Sequence, residues 1–348
     1  MGKINVLQLI TGLGMGGAEK VVLDLSLYIN KRDFNIFVVG MSKRDELLKE
    51  FLKNGIQVIL LRKKNSLKDF IDIFQYLDNF VKQNNIQIIH AHMTHSVIIS
   101  GLLKMKNPSL KVIYTSHSSN IGSKIREIIL WGLKPFRDID IIFSKDILKF
   151  FYKKDYKVIP NGIKIDKYNL NLEKKNKFTF IAIGRLELVK NHKILIEIAN
   201  NLKNKYSFEI QIVGDGYLRE ELKDLIKKYN LEDYVKLLGL RDDIPILLNK
   251  AHCLVMPSLW EGFPIVILEA GASNVPIITT PVGSIPSLLN NDNAYLSEVE
   301  YFENTMIEVM KNYNKAMQKG KVLFHTMQNM YSIDFIIKEH EKIYKELV

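Results

Sequence analysis

The chain has 348 residues, of which 47% are hydrophobic and 25% charged, a globular composition that excludes an extended disordered protein. This length exceeds what one hydrophobic core usually holds and suits two domains. The formal net charge is +11, and residues 1–165 hold 26 of the 49 Lys and Arg but only 14 of the 38 Asp and Glu. The first half therefore carries the whole positive excess, which predicts a polyanionic partner for that half, either nucleic acid or anionic lipid.

No uninterrupted apolar stretch reaches the ~18 residues that a membrane-spanning helix needs. The first ten residues match a short strand and lack the basic flank, long apolar stretch and cleavage site of a signal peptide. We therefore expect a cytoplasmic protein, with peripheral attachment to the inner face of a membrane as the alternative.

The first half alternates apolar, strand-like runs with helix-length amphipathic stretches such as Glu19–Ile29 and Lys68–Val81. Continuous apolar strands separated by helices are typical of a parallel sheet covered on both faces. The predicted strands of this half are Ile4–Ile10, Phe34–Val39, Gln57–Leu61, Ile86–His90, Lys111–Thr115 and Ile139–Phe143.

After a turn-rich break at 159–162 and a polar stretch at 169–177, the same alternation restarts and ends in a helical stretch at Ile333–Leu347. The strands predicted in this half are Phe178–Ile183, Phe208–Val213, Val235–Leu238, Cys253–Met256 and Pro276–Thr279. We predict an α/β protein with two tandem, Rossmann-like, doubly wound parallel sheets that face each other across a ligand-binding cleft. The predicted domains are 1–165 and 166–328, followed by a terminal helix at 329–348.

A glycine-rich loop follows the first predicted strand, and its Gly12, Gly14 and Gly17 have the spacing of a dinucleotide-binding loop. Glycines let a backbone approach a phosphate, and the start of the following helix supplies N–H donors. A dehydrogenase would need an acidic residue at the end of the second strand, where the sequence has Lys43 and Arg44. The loop therefore predicts a phosphate site, and among dinucleotides only a phosphorylated cofactor would suit it.

Two loops of the second half add further phosphate signals. Gly184 and Arg185 end its first predicted strand, and Lys190 precedes a helix, so two cations are able to neutralise a diphosphate from two sides. Gly214 and Asp215 follow the next strand, in a turn that is common when it is taken alone.

The most specific stretch contains two carboxylates, Glu261 and Glu269, separated by seven residues. Gly262 and Pro264 mark a helix entry, where unpaired N–H groups collect. Glu269 lies four residues beyond Ile265, on the same helix face and in an otherwise apolar run, where an unpartnered carboxylate is costly to bury. Ribose hydroxyls would be suitable partners for it.

With these motifs the chain resembles family 4 of the retaining glycosyltransferases, whose fold is called GT-B. The resemblance rests on the two glutamates in their Glu-Gly-Phe-Pro context and on Gly184-Arg185 followed by Lys190-Asn191. Four shorter motifs occur in the family's order: Gly16-Gly17-Ala18-Glu19, Pro160-Asn161-Gly162-Ile163, Gly214-Asp215-Gly216 and Pro281-Val282-Gly283. Family members often carry an acidic residue shortly after the last motif, where this chain has Ile285-Pro286-Ser287, and the role of that loop stays open.

The resemblance implies a metal-independent, retaining transferase that moves a sugar from a nucleotide sugar, in first place a UDP-sugar, to a saccharide or lipid-linked saccharide in bacterial-type surface glycan synthesis. Arg185 and Lys190 would clamp the diphosphate, Glu261 would bind hydroxyls of the transferred sugar, and Glu269 would bind the ribose. His117 would contact the donor sugar and assist the acceptor hydroxyl; with Arg185, Lys190 and Glu261 it completes the implied catalytic set. Leu240 and Arg241 would lie beside the base. The other implied donor contacts are Gly16, Gly17, Gly184, Gly214, Asp215, Gly262, Phe263, Pro264 and Ile265. The terminal helix would cross back onto the first domain.

Metal ligands are not expected, and neither is any other cofactor. His90, His92 and His95 crowd one strand end and suggest zinc, but no set of Cys or Glu completes such a site. Asp138 and Asp140 have metal-binding spacing but belong to a strand start. The rival functions are a nucleotide-sugar epimerase of related fold and a non-catalytic nucleotide or nucleic-acid binding protein. Nucleic acid is not the expected partner, because the basic half offers no stacking platform or groove-binding helix.

Basic and apolar residues alternate at 122–137, where the cations are Lys124, Arg126, Lys134 and Arg137, and a second basic-aromatic stretch follows at 149–154. In one interpretation the apolar positions face the sheet and the cations are solvated. In the other, the surface binds an anionic membrane and presents a lipid-linked acceptor.

Overall fold

The computed structural model of the protein describes residues 2–14, 17–63, 66–117, 123–145, 148–262 and 264–348. The chain divides into two compact units, residues 1–162 with Ile333–Val348, and Ile163–Ser332. The unit boundaries fall after 162 and 332 rather than after 165 and 328, because the chain between 163 and 168 and the turn at 327–331 pack within the second unit.

The first unit holds a seven-stranded parallel sheet in the order β3-β2-β1-β4-β5-β6-β7. Its strands are β1 (Ile4–Ile10), β2 (Phe34–Gly40), β3 (Val58–Leu60), β4 (Ile88–His92), β5 (Lys111–Thr115), β6 (Ile139–Ile142) and β7 (Tyr156–Val158). Strand β7 is the one strand of this sheet that sequence analysis misses, because it is largely exposed and has Lys157 at its centre, so it shows no apolar run.

Helices on both faces of this sheet bury its apolar strands. They are α1 (Gly17–Tyr28), α2 (Leu48–Lys53), α3 (Leu67–Gln83), α4 (Thr94–Lys106), α5 (Lys124–Gly132) and α14 (Ile333–Leu347). Helix α14 comes from the far end of the chain, and its Ile336, Ile337 and Tyr344 belong to the same buried cluster as Val6 and Ile88. The last helix is therefore part of the core of the first unit.

The second unit holds a six-stranded parallel sheet in the order β10-β9-β8-β11-β12-β13. Its strands are β8 (Phe178–Ile183), β9 (Phe208–Val213), β10 (Val235–Gly239), β11 (Cys253–Met256), β12 (Ile277–Thr279) and β13 (Tyr295–Leu296). Its helices are α6 (Ile165–Tyr168), α7 (His192–Leu202), α8 (Arg219–Lys228), α9 (Ile244–Lys250), α10 (Ile265–Ala272), α11 (Ile285–Leu288), α12 (Phe302–Lys311) and α13 (Tyr313–Thr326). The two doubly wound parallel sheets with flanking helices confirm the predicted fold class.

Within the described ranges, no helix combines the length and apolar character needed to span a bilayer.

One glycine of the second unit is required by its surroundings. Gly283, in the loop after β12, has a φ of 59°, in the left-handed region that L side chains rarely adopt. A Cβ atom at this position would lie 1.7 Å from the carbonyl oxygen of Glu261, so the two backbones pack directly against each other. Any side chain at 283 must displace the backbone that carries Glu261.

We expect Gly283→Ala to lower the free energy of unfolding of the second unit by roughly 2–4 kcal/mol, since backbone strain and steric overlap add together. Urea denaturation measures the change. Gly239→Ala is the matched control, because Gly239 also has a positive φ (69°) but its nearest neighbour is the flexible end of Arg219, at 3.5 Å. Equal losses in the two variants would show that the contact with Glu261 contributes nothing.

Candidate active site

The predicted donor-binding residues of the second unit lie in loops at one edge of its sheet. Because the strands are parallel, the carboxyl ends of β10, β9, β8, β11 and β12 meet at that edge in this order. The chain winds from β8 through β9 to β10 and then continues on the other side of β8 with β11, so the topological switch point lies between β8 and β11. Open α/β sheets bind their ligands at such a point.

An ion pair between partly buried Lys190 and buried Glu261 lies at this switch point and joins two residues to which the sequence assigns separate roles. Lys190 Nζ lies 2.6 Å from Oε1 and 2.8 Å from Oε2 of Glu261. Ser258 Oγ donates a hydrogen bond of 2.6 Å to Glu261 Oε1. Glu261 is almost completely buried, and a carboxylate in that position requires a cation or hydrogen-bond donors beside it. The structure therefore brings Lys190 and Glu261 together as one unit.

Arg185 lies in the same loop region but is held differently. Its side chain is 74% exposed, and Nη1 lies 2.8 Å from Oε1 of Glu187, two residues further on. An exposed ion pair of this kind contributes only about 0–1 kcal/mol, because water and salt screen it. Arg185 is thus able to exchange Glu187 for an anionic ligand at little cost, whereas Lys190 is fixed in place.

The loop after β12 supports the backbone around Glu261. Thr280 Oγ1 donates a hydrogen bond of 2.5 Å to the carbonyl oxygen of Ser258, and Ser284 Oγ donates one to the carbonyl oxygen of Gly262. Together with the close approach at residue 283, these bonds fix the loop on both sides of Glu261. Sequence analysis assigns no role to the loop after β12. In the structure, this loop supports the backbone around Glu261.

The loops after β8 and β9 support each other. The Leu186 N–H donates a hydrogen bond of 3.0 Å to the carbonyl oxygen of Asp215. A Cβ atom at Gly214 would lie 2.0 Å from the carbonyl oxygen of Gly184, so this contact requires a glycine. The Asp215 carboxylate accepts the N–H of Gly216 at 2.8 Å and shapes its own turn. In the structure, Asp215 therefore stabilises the turn at residues 214–216.

Two predicted donor contacts follow β10. Leu240 is 79% exposed. Arg241 forms two hydrogen bonds with Asp243, from Nε to Oδ1 at 2.8 Å and from Nη2 to Oδ2 at 2.7 Å. This guanidinium holds the pKa of the Asp243 carboxyl below its usual range. An exposed apolar side chain beside a fixed planar cation suits the edge of an aromatic base.

Glu269 lies in α10, which begins at Ile265 with Pro264 as the preceding residue. The hydroxyl of Tyr168 donates a hydrogen bond of 2.7 Å to Glu269 Oε1. Burial raises the pKa of the Glu269 carboxyl, and the bond from Tyr168 opposes that shift. From the sequence, ribose hydroxyls are the expected hydrogen-bond partners of the Glu269 carboxylate. In the structure, the protein itself supplies one such partner, the hydroxyl of Tyr168. Phe263 lies outside the described residues.

The glycine loop of the first unit leads into α1, whose first residue is Gly17. A Cβ atom at Gly14 would lie 3.4 Å from Arg44 Cδ and 3.4 Å from Glu19 Oε1. Burial raises the pKa of the Glu19 carboxyl, while backbone hydrogen bonds and the charge of Arg44 lower it. Arg44 therefore lies over the glycine loop beside Glu19. Gly16 is outside the part of the chain that the structure describes.

Of the three histidines that crowd the end of β4, His90 and His92 are buried, whereas His95 is exposed and does not join them. His90 and His92 of β4 stack with ring centroids 4.2 Å apart, and His92 Nδ1 lies 2.8 Å from His117 Nε2. Burial lowers the pKa of His117 to about 3 and holds those of His90 and His92 well below the usual value. A ring this weakly basic is neutral at pH 7 and is a poor general base. This argues against the predicted assistance of His117 to the acceptor hydroxyl.

The aspartates with metal-binding spacing have other partners. Asp138 accepts hydrogen bonds from Lys104 Nζ and, at 2.7 Å, from the Val112 N–H. Asp140 lies 3.5 Å from Arg137 Nη1, and both side chains are fully buried. Arg137 is therefore not a surface cation, contrary to its predicted place in a membrane-facing patch. Over the described residues, no three His, Cys, Asp or Glu side chains form a group that would hold a metal ion.

Sequence analysis misses four residues that shape the two sites. Ser258 precedes the Glu261 motif and Ser284 follows the Gly283 motif, so their neighbourhood is a usable signal. Tyr168 and Gln8 belong to no motif, and their partners lie far away in the chain. Such long-range hydrogen bonds leave no local pattern.

Two family profiles match the chain. The profile described as Glycosyltransferase Family 4 matches residues 15–167, and the profile described as Glycosyl transferases group 1 matches residues 165–321. Between them they cover Gly16 and Gly17 of the glycine loop, His90, His92 and His117, and every loop of the second unit described above.

Relatives match over most of their length. The UDP-Gal:alpha-D-GlcNAc-diphosphoundecaprenol alpha-1,3-galactosyltransferase of Escherichia coli is 26% identical over 333 residues, which cover 85% of this chain and 85% of that protein. The capsular polysaccharide biosynthesis glycosyltransferase CapH of Staphylococcus aureus is 26% identical over 365 residues, which cover 98% of each chain.

A solved structure with the same fold is that of HepE from Anabaena in complex with UDP. It has a TM-score of 0.85 and 19% identity to this protein, over 99% of this chain and 100% of that one. Both sheets, their flanking helices and the order of the motifs agree with these matches. The chain therefore belongs to family 4 of the glycosyltransferases, and it is a glycosyltransferase with the GT-B fold.

Proposed function

We propose that this glycosyltransferase takes its sugar from a UDP-sugar, retains the anomeric configuration, needs no metal, and transfers to a saccharide or lipid-linked saccharide in surface glycan synthesis. The observation that carries the proposal is the Lys190–Glu261 pair, with its carboxylate buried, at the switch point of the second sheet. Two relatives support the proposed classes of donor and acceptor. One is named for a UDP-galactose donor and a diphosphoundecaprenol-linked acceptor, and the other for capsular polysaccharide biosynthesis.

The chemistry of the pair suits the two ends of a nucleotide sugar. An ammonium group has three N–H donors, and Glu261 uses two of those on Lys190, which leaves the third for a phosphate oxygen. Glu261 accepts hydrogen bonds and so suits sugar hydroxyls. Arg185 exchanges Glu187 for the diphosphate, and Glu269 binds the ribose with Tyr168 beside it. Charge that develops on the leaving diphosphate is thus met by side-chain cations.

Retention follows from attack on the face that the diphosphate leaves. The bond from the anomeric carbon to the phosphate oxygen breaks, a bond to the acceptor oxygen forms on the same face, and the hydroxyl proton passes to the departing phosphate. His117 is too weak a base to take that proton, since the pKa of its ring is lowered to about 3. The leaving group therefore serves as the base in this proposal.

Family membership favours this function over an epimerase or a non-catalytic nucleotide-binding protein. An epimerase would consume no acceptor, and a non-catalytic protein would leave the nucleotide sugar intact. An assay that follows donor and acceptor together separates all three.

An anionic membrane is proposed as the surface on which the acceptor is met. The α5 patch consists of residues 124–131 and 148–150. Ile125 is 71% exposed, Ile128 59% and Trp131 56%, and among the α5 residues described only Leu130 is buried. The apolar positions therefore do not face the sheet, and exposed Lys124 and Arg126 flank them. Apolar side chains framed by cations suit the interface of an anionic bilayer.

The reaction is tested with a panel of UDP- and GDP-sugars, each with saccharide and lipid-linked acceptors, in the presence of EDTA. We expect one UDP-sugar to be consumed with the acceptor, and NMR of the product from an α-linked donor to show an α-glycoside. A β-glycoside would contradict retention, and loss of activity that Mg²⁺ restores would contradict metal independence. Donor conversion to its epimer without acceptor would replace the transferase proposal.

We expect Lys190→Ala to reduce kcat/KM about 10²- to 10³-fold, as for the loss of one preorganised donor to a developing charge. Arg185→Ala should cost less, because Arg185 is exposed and flexibly held. Lys193→Ala is the matched control, since Lys193 lies three residues further on with an exposed side chain. Thermal unfolding must accompany the assay, because Lys190→Ala leaves Glu261 buried without its cation. A folded Lys190→Ala enzyme with normal turnover would remove Lys190 from the site.

We expect the protein to co-sediment with anionic liposomes at low salt and to be released as salt rises. The double variant Lys124→Ser with Arg126→Ser should bind at least about tenfold more weakly, because each cation near an anionic surface contributes about 1 kcal/mol. Ile128→Ser with Trp131→Ser should also release it. Lys31→Ser with Arg32→Ser removes two exposed cations elsewhere on the first unit and should change nothing. Wild-type protein that ignores anionic liposomes would refute the patch and favour a soluble acceptor.

A further inference from the structure

We propose that Gln8, His92 and Tyr344 hold His117 in a single neutral tautomer, with the proton on Nε2 and a bare Nδ1 that accepts a hydrogen bond from a substrate hydroxyl. These four residues are called the relay. All belong to the first unit, where Gln8 lies on β1, His92 on β4 and Tyr344 on α14. The contact with substrate rests on the proposed function, whereas the tautomer does not.

The tautomer follows from counting donors and acceptors along the relay. Gln8 Oε1 lies 2.7 Å from His92 Nε2, and an amide oxygen only accepts, so His92 carries its proton on Nε2. A neutral imidazole has one bare nitrogen, which makes His92 Nδ1 the acceptor in the 2.8 Å contact with His117 Nε2. His117 therefore donates through Nε2, and its Nδ1 holds a free lone pair.

The contacts at the other end of the Gln8 amide agree with this orientation. Gln8 Nε2 donates a hydrogen bond of 2.9 Å to the hydroxyl of Tyr344, which lies 2.7 Å from Nδ1 of His90. The hydroxyl accepts from Gln8 and donates to His90, and His90 Nε2 in turn donates to Thr115 Oγ1 at 2.6 Å. Donation thus runs in one direction, from His117 through His92, Gln8, Tyr344 and His90 to Thr115.

The rings are neutral, as this count requires. Burial lowers the pKa of His90, His92 and His117, and the neighbouring His340 adds to the effect on each of them. His340 itself has a pKa lowered to about 4 by burial, and its Nδ1 lies 2.9 Å from the Ile336 carbonyl oxygen in its own helix. It therefore stacks on the cluster without supplying a proton to the relay.

Nδ1 of His117 is the one atom of the relay that is left for a ligand. It is buried and has no hydrogen-bond partner among the residues that the structure describes. A buried polar atom of this kind is costly unless a partner is supplied, and a ligand can supply it. A bare nitrogen accepts from a hydroxyl but is repelled by phosphate oxygens. His117 thus recognises a sugar hydroxyl and not the diphosphate.

The relay also makes the last helix part of this recognition. Tyr344 and Gln8 are 336 positions apart in the chain, so the position of α14 determines whether the amide of Gln8 is held. If the amide were reversed, every proton along the relay would move to the opposite nitrogen, and His117 would present a donor. The two arrangements differ in which ring nitrogen of His117 carries the proton, and this can be observed in the substrate-free protein.

The test is a long-range ¹H–¹⁵N spectrum of the histidine side chains at pH 7 without substrate, with His117 assigned by the signals lost in His117→Gln. We expect His92 and His117 each to show protonated Nε2 and unprotonated Nδ1. Protonated Nδ1 on His117, or a mixture of tautomers in the wild type, would overturn the inference. Because this spectrum needs no catalysis, it stands or falls separately from the glycosyltransferase proposal.

Tyr344→Phe tests the helix contribution, because it removes the oxygen that accepts from Gln8 while keeping the ring. We expect a mixture of His117 tautomers and a fall in kcat/KM of about 2- to 10-fold, the effect of one hydrogen bond. Tyr331→Phe removes a buried tyrosine hydroxyl in the second unit and should leave the tautomer unchanged. An unchanged tautomer in folded Tyr344→Phe would refute the role of the helix, and if this variant does not fold, the wild-type spectrum decides the inference.

Discussion

The pairing of Lys190 with Glu261 is the interaction on which the loops of the second unit depend. Removing two charges from water costs several kcal/mol for each ion, and their attraction offsets that cost only when the geometry is good and other hydrogen bonds complete it. Ser258 completes the carboxylate, the loop after β12 fixes its backbone, and the loops after β8 and β9 brace each other beside Lys190. The edge of the sheet is therefore built around one charge pair that is already in position before a ligand arrives.

The first unit buries polar groups of a different kind. His90 and His92 are neutral, and their ring nitrogens are satisfied by His117, by an amide and by hydroxyls rather than by counter-ions. Neutral hydrogen bonds have direction but little net charge, so they distinguish a donor from an acceptor, whereas the ion pair of the second unit distinguishes an anion from a neutral group. The two units thus bury their polar groups in two physically different ways.

The long apolar strands and the glycine and glutamate motifs were predictable because each is a local pattern. Strands β7 and β13 were not, since β7 is largely exposed and has no apolar run, and β13 has only two residues. Arg137 shows a second limit: its charge predicts exposure, yet its side chain is buried in the core, where it pairs with Asp140 and donates from Nη2 to two backbone carbonyls. A third limit concerns partners: the sequence places Glu269 in an apolar run, but only the fold reveals that Tyr168 is its partner. Local pattern predicts where a residue lies, and long-range contacts decide what it pairs with.

Helix α14 has a consequence for the order in which the chain folds during synthesis. The core of the first unit lacks Ile336, Ile337 and Tyr344 until α14 has left the ribosome, although its seven strands are made first. The whole second unit, Ile163–Ser332, is encoded between these strands and α14, and its core needs no later segment of the chain. Domains generally fold as units and from the N-terminus, but here the unit that begins first is completed last. The early strands must therefore be kept from aggregation, by chaperones or by partial structure, for the time that about half the chain takes to be translated.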